Sequence, residues 1–168
     1  MKSVLPVVTT IALLWSPSLS RADEGAFLQS LQGNLTGQGS VRLRTYMSPV
    51  KVSCVFDARA RGLTLKLDGT CRGMLVVSRE IGAELRYDGN GYRGFYTGSR
   101  SGKAVLTGAR VGNSIDLTVH WAKKVNGDKA AQLVLQKVGN TGLKLTTIDR
   151  DPKTGKSVVT SDIDLRRR

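Results

Sequence analysis

Few side chains in this sequence could carry acid–base or covalent chemistry. His120 is the only histidine, so any serine-type triad would have to use it. It stands in IDLTVHW, on the polar side of an alternating run, with no nucleophile signature nearby. Glu80, Glu84 and Asp88 recur every four residues in EIGAELRYDG, which reads as a strand with all three acids on one face. A glycosidase-like carboxylate pair could be assembled across strands from such residues, but solvated surface charge is the plainer reading. DPKTGKSVV and GSRSGKA resemble the lysine end of a nucleotide-binding loop. The first has Arg150 where that loop needs its leading glycine, the second has Ala104 in place of the Mg²⁺-binding hydroxyl, and strand-like residues follow both. Both therefore read as hairpin turns, the first with Pro152 at the second turn position and Gly155 at the left-handed one. The residues specify no reaction, and a non-catalytic protein without cofactor or metal is the expectation.

The cysteines and the N-terminus speak to compartment instead. Lys2 precedes VLPVVTTIALLWSP, an apolar run interrupted by prolines, and then Ser20-Arg21-Ala22 offers small residues at the −3 and −1 positions. This predicts a secretory signal over residues 1–22, with an uncleaved N-terminal anchor as the alternative. No second apolar segment follows, so no transmembrane segment is expected and the exported chain would be periplasmic or secreted. In that setting Cys54 and Cys71 read as a disulfide. A cysteine metal site would need more ligands than one histidine supplies. Residues 23–168 are then one domain. They carry 24 of the 26 basic residues against all 13 acidic ones, a net charge of +11.

The elements that must position these groups are strands. DEGAFLQSLQG has helical spacing and stops at Gly33. Beyond it the apolar period changes from 3.6 to 2, in VRLRTY, VKVSCVF, LTLKLDG, IDLTVHW, QLVLQKV, LKLTTI and SVVTSDIDL. Glycine- and asparagine-rich turns punctuate these runs, the Asn126-Gly127 pair being a strong hairpin signal. The expected fold is all-β: an antiparallel meander of nine or ten strands that hides its edges by closing into a small barrel, with a short N-terminal helix. A two-sheet sandwich is the competitor. Gly94, Gly98, Gly102 and Gly108 fall among strand residues, as tight barrel bends require.

Two binding modes suit such a barrel. A net charge of +13 attracts polyanions, and Arg42, Arg44, Arg93, Arg100, Lys103 and Arg110 are the candidate anion-binding residues. Their partner would be an acidic envelope polysaccharide or an anionic lipid. Aromatic residues are too few for a base-stacking platform, which argues against nucleic acid. Alternatively, Leu65, Leu67, Leu117, Val119, Trp121 and Leu133 would line an interior that holds a small lipophilic ligand. A third possibility is a periplasmic inhibitor or assembly factor acting through exposed turns such as Val125–Lys129.

The stretches LDGTCRG, GYRGFYTGSRSGKAVLTG and WAKKVNGD resemble those of small exported alphaproteobacterial proteins, rhizobial ones among them. That resemblance implies a Gram-negative envelope and carries no catalytic residues. The whole pattern is also loosely similar to lipocalin-like barrels and to barrel-shaped periplasmic protease inhibitors, although the Gly-x-Trp that lipocalins show near the first strand is replaced by Gly33-Asn34-Leu35.

Overall fold

The computed structural model describes residues 18–73, 77–98 and 102–168. One helix, α1 (Ser18–Ser30), precedes ten strands: β1 (Gly33–Val41), β2 (Val50–Arg61), β3 (Thr64–Gly73), β4 (Val77–Tyr87), β5 (Tyr92–Thr97), β6 (Ala104–Val111), β7 (Ser114–Val125), β8 (Asp128–Val138), β9 (Gly142–Arg150) and β10 (Ser157–Arg167). Each strand pairs antiparallel with its chain neighbour, and β1 pairs with both β2 and β10, which closes the barrel. Closure satisfies the backbone groups that an open sheet would leave at its two edges.

Alternation sets the inside. Leu65 and Leu67 on β3, Ile115, Leu117, Val119 and Trp121 on β7, and Leu133 and Leu135 on β8 are buried within a single core. Their odd-numbered spacing puts them on one side of the pleat, and the intervening Lys66, Asp116, Thr118 and His120 stand outward. Cys54 and Cys71 occupy directly paired positions of β2 and β3 and form a disulfide inside the barrel.

Small residues let the strands coil tightly. A Cβ on Gly94 would sit 1.8 Å from the carbonyl oxygen of Glu84, and one on Gly108 would sit 1.9 Å from that of Asp116. Only glycine permits that approach. The Asn126-Gly127 pair has φ of 51° and 86°, the two positive values a tight hairpin turn demands. At DPKTG, Gly155 has φ 69° and its N–H donates to the Asp151 carbonyl, so this stretch is a β9–β10 turn followed by a strand. The second lysine-bearing stretch lies partly outside the described residues, at 99–101.

Two details differ from the sequence pattern. VRLRTY is not a strand: β1 is GNLTGQGSV and ends at Val41, and residues 42–49 form the connection to β2. The connection folds back on itself, with Met47 N–H donating to the Arg44 carbonyl and Arg42 donating through Nη1 to the Met47 carbonyl. These local bonds, together with the β1–β10 register, outweigh the alternating pattern. The helix starts at Ser18, ahead of the predicted cut at Ala22. The helix residues sealed against the barrel are Glu24, Phe27 and Leu28, joined by Leu31 just beyond, and all follow that cut.

Candidate functional site

The two barrel ends are built from different chemistry. The first receives α1 together with the β2–β3, β4–β5, β6–β7 and β8–β9 turns. Phe27, Leu28 and Leu31 pack into the core there. Gln29 Nε2 donates to the Ala60 carbonyl at 3.1 Å, and Arg167 Nη2 donates to the Ser30 carbonyl at 2.9 Å, satisfying the helix C-terminus. On the inner face of α1 the buried Glu24 accepts from Arg110 Nε at 2.8 Å and from the Tyr92 hydroxyl. Arg110 also pairs with Asp23, and its guanidinium lies 4.8 Å from the Phe27 ring centre. Burial and the Glu24 carboxylate push the Tyr92 hydroxyl far above its ordinary pKa, and the bond to Glu24 raises that of Arg110. Among the described residues each charged group of this cluster faces one of opposite sign, and the Tyr92 hydroxyl donates to a carboxylate. The end is shut.

The opposite end carries the β1–β2, β3–β4, β5–β6, β7–β8 and β9–β10 connections. Strand register directs Val41, Val52, Ile81, Tyr96, Thr147 and Ser161 inward here, yet each keeps some accessible surface. At the helix end the corresponding residues Leu35, Leu65, Leu85, Tyr92, Leu143 and Leu165 are sealed. Tyr96 shows the contrast best: desolvation by surrounding protein raises its hydroxyl pKa, with Arg79 opposing, while part of its surface stays accessible. Its ring meets that of Trp121 edge-on at 5.9 Å. Arg79 also points inward, donating through Nη1 to the Gly98 carbonyl at 3.1 Å.

Among the described residues, three buried polar atoms at this end lack a hydrogen-bond partner: Trp121 Nε1, Asn126 Oδ1 and Asp149 Oδ1. Asp149 is 4% exposed and Trp121 8% exposed. The other Asp149 oxygen accepts from the Thr160 hydroxyl. Burial raises the Asp149 pKa, Asp128 adds to the rise, and Thr160 and the nearby Asn126 amide oppose it. Leaving such groups unsatisfied is expensive, and natural structures rarely do so without a use. One donor and two acceptors are thus buried at this end, beside partly accessible apolar and aromatic side chains. This arrangement can hold a compact molecule by shape and orient one polar group.

The sequence-derived lumen residues Leu65, Leu67, Leu117, Val119, Trp121 and Leu133 are all buried in the core. Leu65 is next to the β2–β3 turn at the helix end, Leu117 and Leu133 are directly paired across β7 and β8, and Trp121 lies toward the open end. Asp149, Asn126, Tyr96 and Arg79 escaped the sequence reading. A carboxylate at an inward position of LKLTTID, out of phase with the polar side, is the signal that could have exposed Asp149.

The candidate cations do not form one face. Arg93 and Arg110 stand at the helix end, where Arg93 pairs with Asp88 at 2.9 Å and Arg110 is committed to Asp23 and Glu24. Lys103 is at the open end, 3.7 Å from the Phe95 ring centre. Arg42 and Arg44 share the β1–β2 connection, and Arg100 lies outside the described residues.

His120 stands outward with Nε2 3.3 Å from Thr107 Oγ1. Glu80 and Glu84 are outward on β4, but Asp88 is beyond the strand and accepts the N–H groups of Asn90 and Gly91 within a turn. A shallow outer groove of about 660 Å³ runs past Val55, Asp57, Asp68, Thr70, Glu80 and Thr97. Asp57 and Asp68 there form ion pairs with Arg59 and Lys66. Among the described residues no group of three His, Cys, Asp or Glu side chains is placed to hold a metal, and no helix is long and apolar enough to cross a membrane.

No family model matches the chain, and no curated protein does. Among solved structures the barrel is similar to Rv2717c from M. tuberculosis, at 16% identity and a TM-score of 0.62, covering 86% of this chain and 97% of that one. At that identity the likeness shows a shared closed-barrel architecture.

Proposed function

We propose that this is an exported, non-catalytic barrel of the bacterial envelope that takes a small, largely apolar ligand through the end opposite α1. The carrying observation is the accessible surface on inward-facing residues at that end, against complete burial of their counterparts at the other. A barrel that merely needed a core would pack both halves to the same density. The apolar wall supplies most of the contact area, and Trp121 Nε1, Asn126 and Asp149 fix the orientation of a polar head. A ligand bearing both a donor and an acceptor satisfies all three atoms.

The chain's disulfide suits an oxidising compartment, consistent with export from a Gram-negative cytoplasm and cleavage after Ala22. Native mass spectrometry of protein from its own host's envelope, repeated after denaturation, tests the reading. The expected result is a discrete native mass excess that extracts as a small molecule and disappears in Ser161→Phe, which fills the lumen. A bare native mass, or an excess indifferent to Ser161→Phe in a protein that still folds, overturns it.

A further inference from the structure

The connection between β1 and β2 presents apolar side chains to water while being held rigidly by polar ones. Leu43 is 60% exposed, Tyr46 75% and Met47 40%. Thr45 between them is buried, and its hydroxyl donates to Asp151 Oδ2 at 2.7 Å, stapling this connection to the β9–β10 turn. Asp151 is itself fixed, since its other oxygen accepts from Thr154 N–H at 2.8 Å and from the Thr154 hydroxyl at 2.9 Å. Arg42 N–H donates to the Thr160 carbonyl and continues the β10 pairing. The exposure is therefore built in. On β10 the outward Val159, 46% exposed, stands two residues from the strand partner of Val41 and extends the apolar patch.

Cations surround that patch. Arg44 and Lys51 flank it on its own connection and on β2, and Lys153 and Lys156 rise from the stapled turn. Among the described residues none of these four lies within ion-pair distance of a carboxylate. Of the acids at this end, Asp151 is buried and consumed by its own hydrogen bonds, Asp149 is buried against Thr160, and Asp128 stands exposed on the neighbouring β7–β8 turn. A tyrosine flanked by aliphatic side chains and ringed by unpaired cations matches the headgroup zone of a bilayer, apolar below and anionic above.

We infer that the Leu43–Met47 connection docks the barrel's open rim on an anionic lipid bilayer. Leu43, Tyr46 and Met47 enter the headgroup–acyl boundary while Arg44, Lys51, Lys153 and Lys156 meet lipid phosphates. The inference stands on this surface alone and does not require the lumen to hold a ligand; if it does, the mouth faces the membrane.

The test is co-sedimentation of the disulfide-bonded protein with phosphatidylcholine vesicles, with and without phosphatidylglycerol. The N-terminus is verified by mass first, because an uncut Val4–Pro17 run would itself enter a bilayer. Binding is expected only with phosphatidylglycerol and is expected to weaken as salt rises. Leu43→Ser/Tyr46→Ser/Met47→Ser should weaken it by at least about tenfold, since each buried methylene contributes. Arg44→Glu/Lys51→Glu should weaken it by about twentyfold or more. Val138→Ser, exposed beside the β8–β9 turn at the helix end, should leave it unchanged. Tyr46→Trp gives a second readout, a blue shift on adding phosphatidylglycerol vesicles, which needs no loss of function. Absence of vesicle binding, or a triple serine variant that folds and binds like the parent, overturns the inference. So does equal binding to a soluble acidic polysaccharide with no blue shift from Tyr46→Trp.

Discussion

At the helix end of the barrel, each buried charge has been given a partner. At the open end, one carboxylate oxygen, an amide oxygen and an indole N–H are buried without one among the described residues. Glu24 and Asp149 are both inaccessible acids, but Glu24 accepts from Arg110 and Tyr92, while Asp149 accepts from the Thr160 hydroxyl and has no ion-pair partner among the described residues. The first arrangement stabilises the fold. The second lowers stability and is intelligible when something else satisfies it. Stability and recognition are thus divided between opposite ends of one sheet.

The largest expected effect is at the closed end. Arg110→Met keeps the packing on Phe27 but strands Glu24, and should cost about 3 kcal/mol in denaturant unfolding. Adding Glu24→Gln should recover much of that loss, because the buried charge goes with it. Failure of the double variant to recover would mean that α1 is held by apolar contacts alone. Cys54→Ser/Cys71→Ser opens a loop of sequence separation 17 and should lower stability by about 3 kcal/mol in the chain-entropy account, measured the same way.

At the open end the sign reverses. Asp149→Asn removes a buried charge and supplies an N–H that can reach Asn126, so the ligand-free protein should gain about 1 kcal/mol at neutral pH. Because burial raises the folded-state pKa, ionisation of Asp149 costs stability as pH rises above its ordinary value of 3.8. The advantage of Asp149→Asn should therefore be greatest near neutrality and vanish as pH falls toward that value. Thermal unfolding from pH 3 to 8 would show it. An advantage independent of pH would sink this account of Asp149. Asp151 supplies the opposite sign within the same region, since hydrogen bonds from Thr45 and Thr154 lower its pKa. Its stabilising contribution is present above that pKa range and is lost on acidification. The smallest effect belongs to the outer wall: Asp68→Asn breaks the exposed pair with Lys66 and should change stability by less than about 0.5 kcal/mol.

Much of the architecture was legible because strands announce themselves locally. The period of two in IDLTVHW and LTLKLDG, and the positive-φ pair Asn126-Gly127, depend on neighbours within a few residues. VRLRTY misleads for an instructive reason: its alternation is real, but the bonds from Met47 to Arg44 and from Thr45 to Asp151 make it a connection. The cations were legible as charge and illegible as surface, since Arg110 and Arg44 look alike in sequence. One is locked to Asp23 and Glu24 and the other faces solvent.

What the sequence determined by itself is the all-β meander, its hairpin turns, the cysteine pair and the excess of positive charge. Each is a property of spacing or composition. The tertiary structure alone decided which end is shut, that Glu24 meets Arg110 86 residues away, that Thr45 is pinned to Asp151 106 residues away, and that Asp149 turns into the barrel interior. Those outcomes follow from barrel closure. Joining β1 to β10 fixes the register of every strand at once, and only then do side chains remote in sequence acquire common neighbours.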